Sequence, residues 1–194
     1  MIRIAIFASG SGSNAENIVR HFIENKMVQI HRIYSNNPKA GAIDRAKKLH
    51  IPSDVFTKRN FTETNDILFK LQAEKIDLIV LAGFLLLIPN NIIEKYTGKI
   101  INIHPSLLPL HGGKGCYGDS VHKSVISSGA IISGITIHHV NEKFDDGRII
   151  FQAACHVNKN ETTESLSEKI HTLEYSYYPV VIEKIIQNLF LNKP

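Results

Sequence analysis

The chain has 194 residues, 43% of them hydrophobic and 21% charged, with a formal net charge of +4. That is the composition of one globular domain with a sizeable core, and no run approaches the roughly 20 apolar residues of a membrane-spanning helix. Two cysteines, Cys116 and Cys155, exclude a disulfide framework and fit a reducing compartment. The mild positive balance suits an anionic small ligand, while its scatter along the chain argues against a nucleic-acid patch.

In chain order, Ile2 to Phe7 is an apolar run that reads as a first strand. It follows the initial Met with no cleavable-signal layout, so a cytoplasmic protein is expected. Asn14 to Asn25 has helical spacing at Ile18, Val19, Phe22 and Ile23. Val28 to Tyr34 alternates as a second strand, Ala40 to Leu49 suits a helix, and Ser53 to Phe56 a short third strand. Asn65 to Glu74 is helical, with Ile67, Leu68 and Leu71 on one face. Leu78 to Leu81 and Lys99 to His104 read as buried strands. Strand–helix repeats of this length predict an α/β fold with an open, mostly parallel Rossmann-like sheet and helices on both faces.

The later part changes character. Gly134 to Val140 and Arg148 to Val157 are strand-like and joined by a short acidic turn, which predicts an antiparallel pair toward the C-terminus. A last helix is expected from about Thr163 to Leu189, with Leu166, Ile170, Leu173, Tyr177 and Val181 inward and a kink at Pro179. Nothing resembles a repeat or an interdomain linker, so one domain over 1–194 is expected. The longest irregular stretch is Pro105 to Asp119, the length at which a loop in a compact domain is usually functional.

Three elements carry chemistry. Ala8-Ser-Gly-Ser-Gly-Ser-Asn14 follows the first strand and opens a helix. Its glycines let a ligand approach the backbone, and the helix N-terminus offers free amides, so a phosphate site is the natural expectation. The alternative is a tight turn with Ser13 or Asn14 as a plain helix cap. Gly10-x-Gly12-x-x-Ala15 also matches a dinucleotide fingerprint, but the second strand ends in Tyr34-Ser-Asn-Asn37, without the ribose-binding carboxylate. That favours a monophosphate.

The second element is Ile100-Ile-Asn-Ile-His-Pro-Ser-Leu-Leu-Pro109. Asn102 and His104 lie two apart at a strand's carboxyl end, so both project to one side. An amide donor beside a proton-bearing imidazole suits stabilisation of an oxyanion. The third is the acidic turn Asn141 to Gly147, where Asp145 near His104 would raise the imidazole pKa. Metal is not expected: the histidines lack zinc spacing, and His138 and His139 point to opposite sides of one strand. No Gly-x-Ser-x-Gly elbow is present.

Gly10-Ser-Gly-Ser-Asn14, Leu81-Ala-Gly-Phe84, Asn102-Ile-His-Pro-Ser-Leu-Leu-Pro109 and Asp145-Asp-Gly147 together resemble the folate-dependent formyltransferases, over nearly the whole chain. Length and spacing are most similar to the branch acting on glycinamide ribonucleotide in purine biosynthesis. The resemblance implies direct formyl transfer from 10-formyltetrahydrofolate, a co-substrate, to the glycinamide amine. It implies that Gly12, Ser13 and Asn14 hold the phosphate, and that His171, Thr172, Leu173 and Glu174 face the nucleotide. Asn102 and protonated His104 would stabilise the oxyanion, with Asp145 raising the His104 pKa.

For the folate it implies Arg59, Leu85, Leu86, Leu87, Ile88, Asn102, Asn141, Glu142, Lys143, Phe144 and Asp145. The partners implied are these small molecules, with neither nucleic acid nor membrane, in a monomer or weak homodimer. From the residues alone, Glu174 reads as an exposed helix charge and Leu85 to Ile88 as core. Two departures stand out. Leu86 occupies a position where the family often has arginine, and Leu110-His-Gly-Gly-Lys-Gly-Cys-Tyr-Gly118 differs from the commonest family loop and reads as a mobile flap. Methionyl-tRNA formyltransferase normally adds a C-terminal domain and formyltetrahydrofolate hydrolase an N-terminal one. A non-catalytic nucleotide-binding module is the reading from a different class.

Overall fold

The computed structural model describes residues 1–191. The last three residues of the expected domain lie outside it. Seven strands form one sheet in the order β3-β2-β1-β4-β5-β6-β7. The strands are β1 (Ile2–Phe7), β2 (Val28–Ser35), β3 (Ser53–Val55), β4 (Leu78–Leu81), β5 (Ile100–His104), β6 (Ile132–His139) and β7 (Ile149–His156). Pairs among β1 to β5 are parallel, and β6 and β7 join antiparallel, as the alternating first part and the short acidic turn predict.

Helices cover both faces. The strands' period of two sends Ile4 and Ile6 of β1 to one face and Ala5 and Phe7 to the other. The first face packs on α1 (Ser13–Phe22), α2 (Gly41–Lys48), α6 (Asp119–Ser127) and α7 (Thr163–Ile186). The second packs on α3 (Lys58–Glu63), α4 (Asp66–Ala73) and α5 (Asn90–Lys95). Stacked and edge-on rings of Phe7, Tyr34, Phe56, Phe61 and Phe84 fill that second layer.

α3, α5 and α6 are absent from the sequence expectation. Each buries one to three side chains, too few to set up a visible apolar period. The last helix starts at Thr163 as expected, capped by reciprocal bonds between Thr162 and Ser165. It runs helical through Pro179 and ends at Ile186, followed by a π-helical turn over Gln187–Leu191. Its buried stripe is Leu166, Ile170, Glu174, Tyr178, Ile182 and Ile186. Leu173 and Val181 flank that stripe, and Tyr177 is exposed.

Strand order reverses between β1 and β4. In open α/β sheets a crevice forms at the carboxyl ends of the strands on either side of such a switch. Here those ends carry the glycine loop after β1 and the Ala82–Leu87 segment after β4, with His104 one strand further on.

Candidate active site

A cavity of about 800 Å³ opens at this switch point. Its floor at one end is the loop from Gly10 to Asn14. Gly12 sits at the α1 N-terminus with φ 76°, and a Cβ there would fall 2.4 Å from Ala42 Cα. Only glycine fits that turn. No side chain caps the helix, so the plain-cap alternative for Ser13 or Asn14 does not describe this loop. Asn14 Nδ2 instead donates to Glu174 Oε2 at 2.8 Å.

Glu174 is 6% exposed, not a surface charge. Burial raises its carboxyl pKa to about 7, against the opposing bond from Asn14. The helical period explains what its neighbours do. His171 and Glu174, three apart on α7, line the cavity together with Ser167. Thr172 and Leu173 do not: the Thr172 hydroxyl bonds back to Glu168 O at 2.9 Å, and Leu173 packs against the core. Four consecutive helical residues cannot share one face.

Asn102 and His104 point to the same side of β5, as their spacing requires. The β6–β7 connection brings Asp145 to them. His104 Nδ1 lies 3.4 Å from Asp145 Oδ2, and its Nε2 donates to the backbone carbonyl of His111 at 2.9 Å. Both ring nitrogens therefore face acceptors, an arrangement that suits an imidazolium. Burial works the other way and dominates: the ring is 3% exposed, and its pKa lies below the ordinary imidazole value although Asp145 raises it. The expected upward contribution of Asp145 is present, and burial outweighs it. Asp145 stays ionised: burial pushes its pKa up, but His138, His104 and the Gly113 N–H together hold it below the usual carboxylate range.

His138 is a site residue that sequence reading did not assign. It stands opposite Asn102 across the β5–β6 ladder. Its Nδ1 donates to His139 O at 2.7 Å. Its Nε2 lies 3.1 Å from Asn102 Nδ2 and 3.7 Å from Asp145 Oδ1, and Asn102 Nδ2 donates to Asp145 Oδ1 at 3.4 Å. Strand alternation, which separates His138 from His139, was the available signal.

Asp145 itself has φ 54°, a left-handed conformation that Asp tolerates better than most residues. Next to it, a Cβ on Gly147 would fall 1.7 Å from His139 O, so the turn can hug β6 only with glycine there. Gly113 N donates to Asp145 Oδ2 at 3.0 Å, tying the glycine-rich flap to the same carboxylate. The flap's root is anchored by Thr136, whose hydroxyl accepts from Leu108 N at 2.9 Å and donates to Ser106 O at 2.7 Å.

At the cavity's other end the expected folate residues divide. Leu85, Leu86, Leu87, Phe144, Asn102 and Asp145 line it. Ile88 is core, one step out of the lining segment. Asn141, Glu142 and Lys143 do not line it; Asn141 bonds Asp146 and the Lys143 amide within its own turn. Arg59 does not line it either. Its side chain is 83% exposed and paired with Glu63 at 3.1 Å, whereas Lys58 and Thr62, one helical turn apart on α3, face the cavity. Lys114 of the flap lines it too. Among the described residues no group of three or more His, Cys, Asp or Glu is placed to hold a metal ion, and no helix is long and apolar enough to cross a membrane.

The profile of the formyl transferase family matches residues 2–182. Phosphoribosylglycinamide formyltransferase of Bacillus subtilis is 37% identical over 191 residues, covering 96% of this chain and 95% of that protein. The Haemophilus influenzae protein of the same name is 35% identical over 188 residues, 94% of this chain and 86% of its own. The crystal structure of phosphoribosylglycinamide formyltransferase from Bacillus halodurans aligns with a TM-score of 0.87 at 32% identity, covering 98% of this chain and all of that one. With a full-length match in sequence and fold, and the sequence motifs gathered around one cavity, the chain belongs to the formyl transferase family, among the phosphoribosylglycinamide formyltransferases.

Proposed function

We infer that this protein transfers a formyl group from 10-formyltetrahydrofolate to the amine of glycinamide ribonucleotide, yielding the N-formyl product and tetrahydrofolate. The observation that carries the reading is the convergence of Asn102, His104 and Asp145 on one cavity that also holds an uncapped, glycine-turned helix N-terminus. Such a helix end offers amides to a phosphate, here at Gly12, Ser13 and Asn14. The apolar Leu85–Leu87 wall suits the flat ring of the folate, and buried Glu174 suits the sugar hydroxyls.

In the reaction the amine nitrogen bonds the formyl carbon, and an oxyanion develops on the formyl oxygen. The C–N bond to the folate then breaks, and the proton lost by the amine is balanced by one gained at the folate nitrogen. His104 serves the oxyanion through Nε2–H. That proton is held by His111 O, so it must change partner from the flap carbonyl to the substrate oxygen. The negative charge arriving there adds to Asp145 on the other side of the ring and opposes the effect of burial. Asn102 contributes an amide N–H that is otherwise shared between His138 and Asp145. Asp145 and His138 are thus positioned to keep both donors oriented.

The protein works on small molecules, as a single-domain monomer or weak homodimer in the cytoplasm, with no nucleic acid or membrane surface required. A formyl-transfer assay with both substrates tests the reading. Turnover that depends on glycinamide ribonucleotide supports it, and formate release without an acceptor would indicate a hydrolase instead.

A further inference from the structure

The flap leads into α6, whose buried residues are Val121, His122 and Val125. The two valines, four apart, make an ordinary helix–core stripe. His122 does not belong in such a stripe unless something bonds its ring. It is 2% exposed, lines the active-site cavity, and its Nδ1 is buried with no hydrogen-bond partner among the described residues. An unmet buried nitrogen carries an uncompensated desolvation penalty. The titratable groups whose charge acts on the ring are His171 of α7, Asp119 at the start of α6, and His104 at the end of β5. Burial chiefly, then His171 and His104, hold its pKa below the ordinary value against the opposing Asp119, so the ring is neutral at neutral pH.

We propose that His122 is a further substrate-binding residue, its imidazole bonding the carboxamide that links the ribose of the nucleotide to its reacting amine. The proposal rests on the nucleotide reading given above. His122 lies in the surroundings of both His104, where the amine reacts, and His171, on the nucleotide-facing stripe of α7. The part of the substrate that spans those two is the glycinamide unit. A neutral imidazole has one donor and one acceptor nitrogen, and an amide offers a partner to either. The phosphate already has the helix N-terminus, and a neutral ring adds little to its binding.

The test uses the full-length protein and two variants. His122→Phe keeps a ring and removes both nitrogens; His122→Asn keeps a neutral side chain that can both donate and accept. The expected result is a rise of about tenfold or more in KM for glycinamide ribonucleotide in His122→Phe, with the folate KM and kcat within about threefold of wild type. Calorimetric titration with the nucleotide alone shows the same loss, and His122→Asn recovers most of it. The ligand-free melting temperature of His122→Phe equals or exceeds that of wild type, because the unmet polar atom is gone. Wild-type nucleotide affinity in His122→Phe overturns the proposal. So does a lowered ligand-free melting temperature with kcat and both KM values disturbed together, which is the mark of a structural role. A wild-type chain that binds no nucleotide overturns the functional reading itself, and this proposal with it.

Discussion

His104 Nδ1 lies 3.4 Å from Asp145 Oδ2, yet burial keeps the imidazole pKa below its ordinary value. The carboxylate therefore offsets part of a desolvation cost and does not by itself hold the ring protonated. Asp145→Asn removes that offset and lowers the His104 pKa further. Transfer depends on the protonated ring, so the limb of kcat that falls with rising pH moves to lower pH in the variant. At pH 7.5 single-turnover rates drop by roughly a hundredfold or more. A pH profile with an unmoved limb contradicts the assigned role.

Glu174 carries a stability cost that substitution removes. Its folded pKa, about 7, lies above the value of 4.5 for a free glutamate. Below about pH 4.5 both states are protonated and no penalty exists. As pH rises toward 7 the unfolded chain ionises and the folded one resists, so stability is lost across that window. Glu174→Gln is expected to be more stable than wild type at pH 8, by on the order of 2–3 kcal/mol, while binding the nucleotide more weakly. Urea denaturation at pH 8 and 5.5 checks the sign, because the difference must shrink at the lower pH.

Thr136 ties the flap's root to β6 through one buried hydroxyl that serves Leu108 N, Ser106 O and Gln152 Nε2. Thr136→Val keeps the shape and removes the partner of Leu108 N and Ser106 O, while Gln152 Nε2 keeps Leu108 O. Equilibrium denaturation is expected to show a loss of about 2–3 kcal/mol.

Lys58, not Arg59, is the α3 cation that faces the cavity. Lys58→Ala is expected to raise the KM for the anionic folate several-fold, with an effect that weakens in high salt. Arg59→Ala leaves it within about twofold, since an exposed pair such as Arg59–Glu63 contributes little. Steady-state kinetics at two salt concentrations decide between them.

What the sequence revealed follows from local pattern. The parallel strands follow from strand–helix alternation, the antiparallel pair from its short turn, and the shared side of Asn102 and His104 from the strand's period of two. The glycine loop was legible because only a turn with positive φ needs its pattern. What stayed hidden depends on tertiary contact. Glu174 occupies a core position of α7, so counting apolar residues moved the buried stripe to Leu173, Tyr177 and Val181, one residue off. Arg59 and Lys58 are adjacent, and only the docking of α3 decides which one faces the cavity. No spacing brings Asp145 to His104, or His138 to Asn102; the ladder register and the folded-back turn do that.

The most direct test of the central claim is His104→Ala, measured for both formyl transfer and nucleotide binding. The account predicts that kcat falls by about a thousandfold or more while the dissociation constant for glycinamide ribonucleotide stays within about threefold, because the phosphate loop and Glu174 are untouched. Wild-type-like turnover in that variant would contradict it.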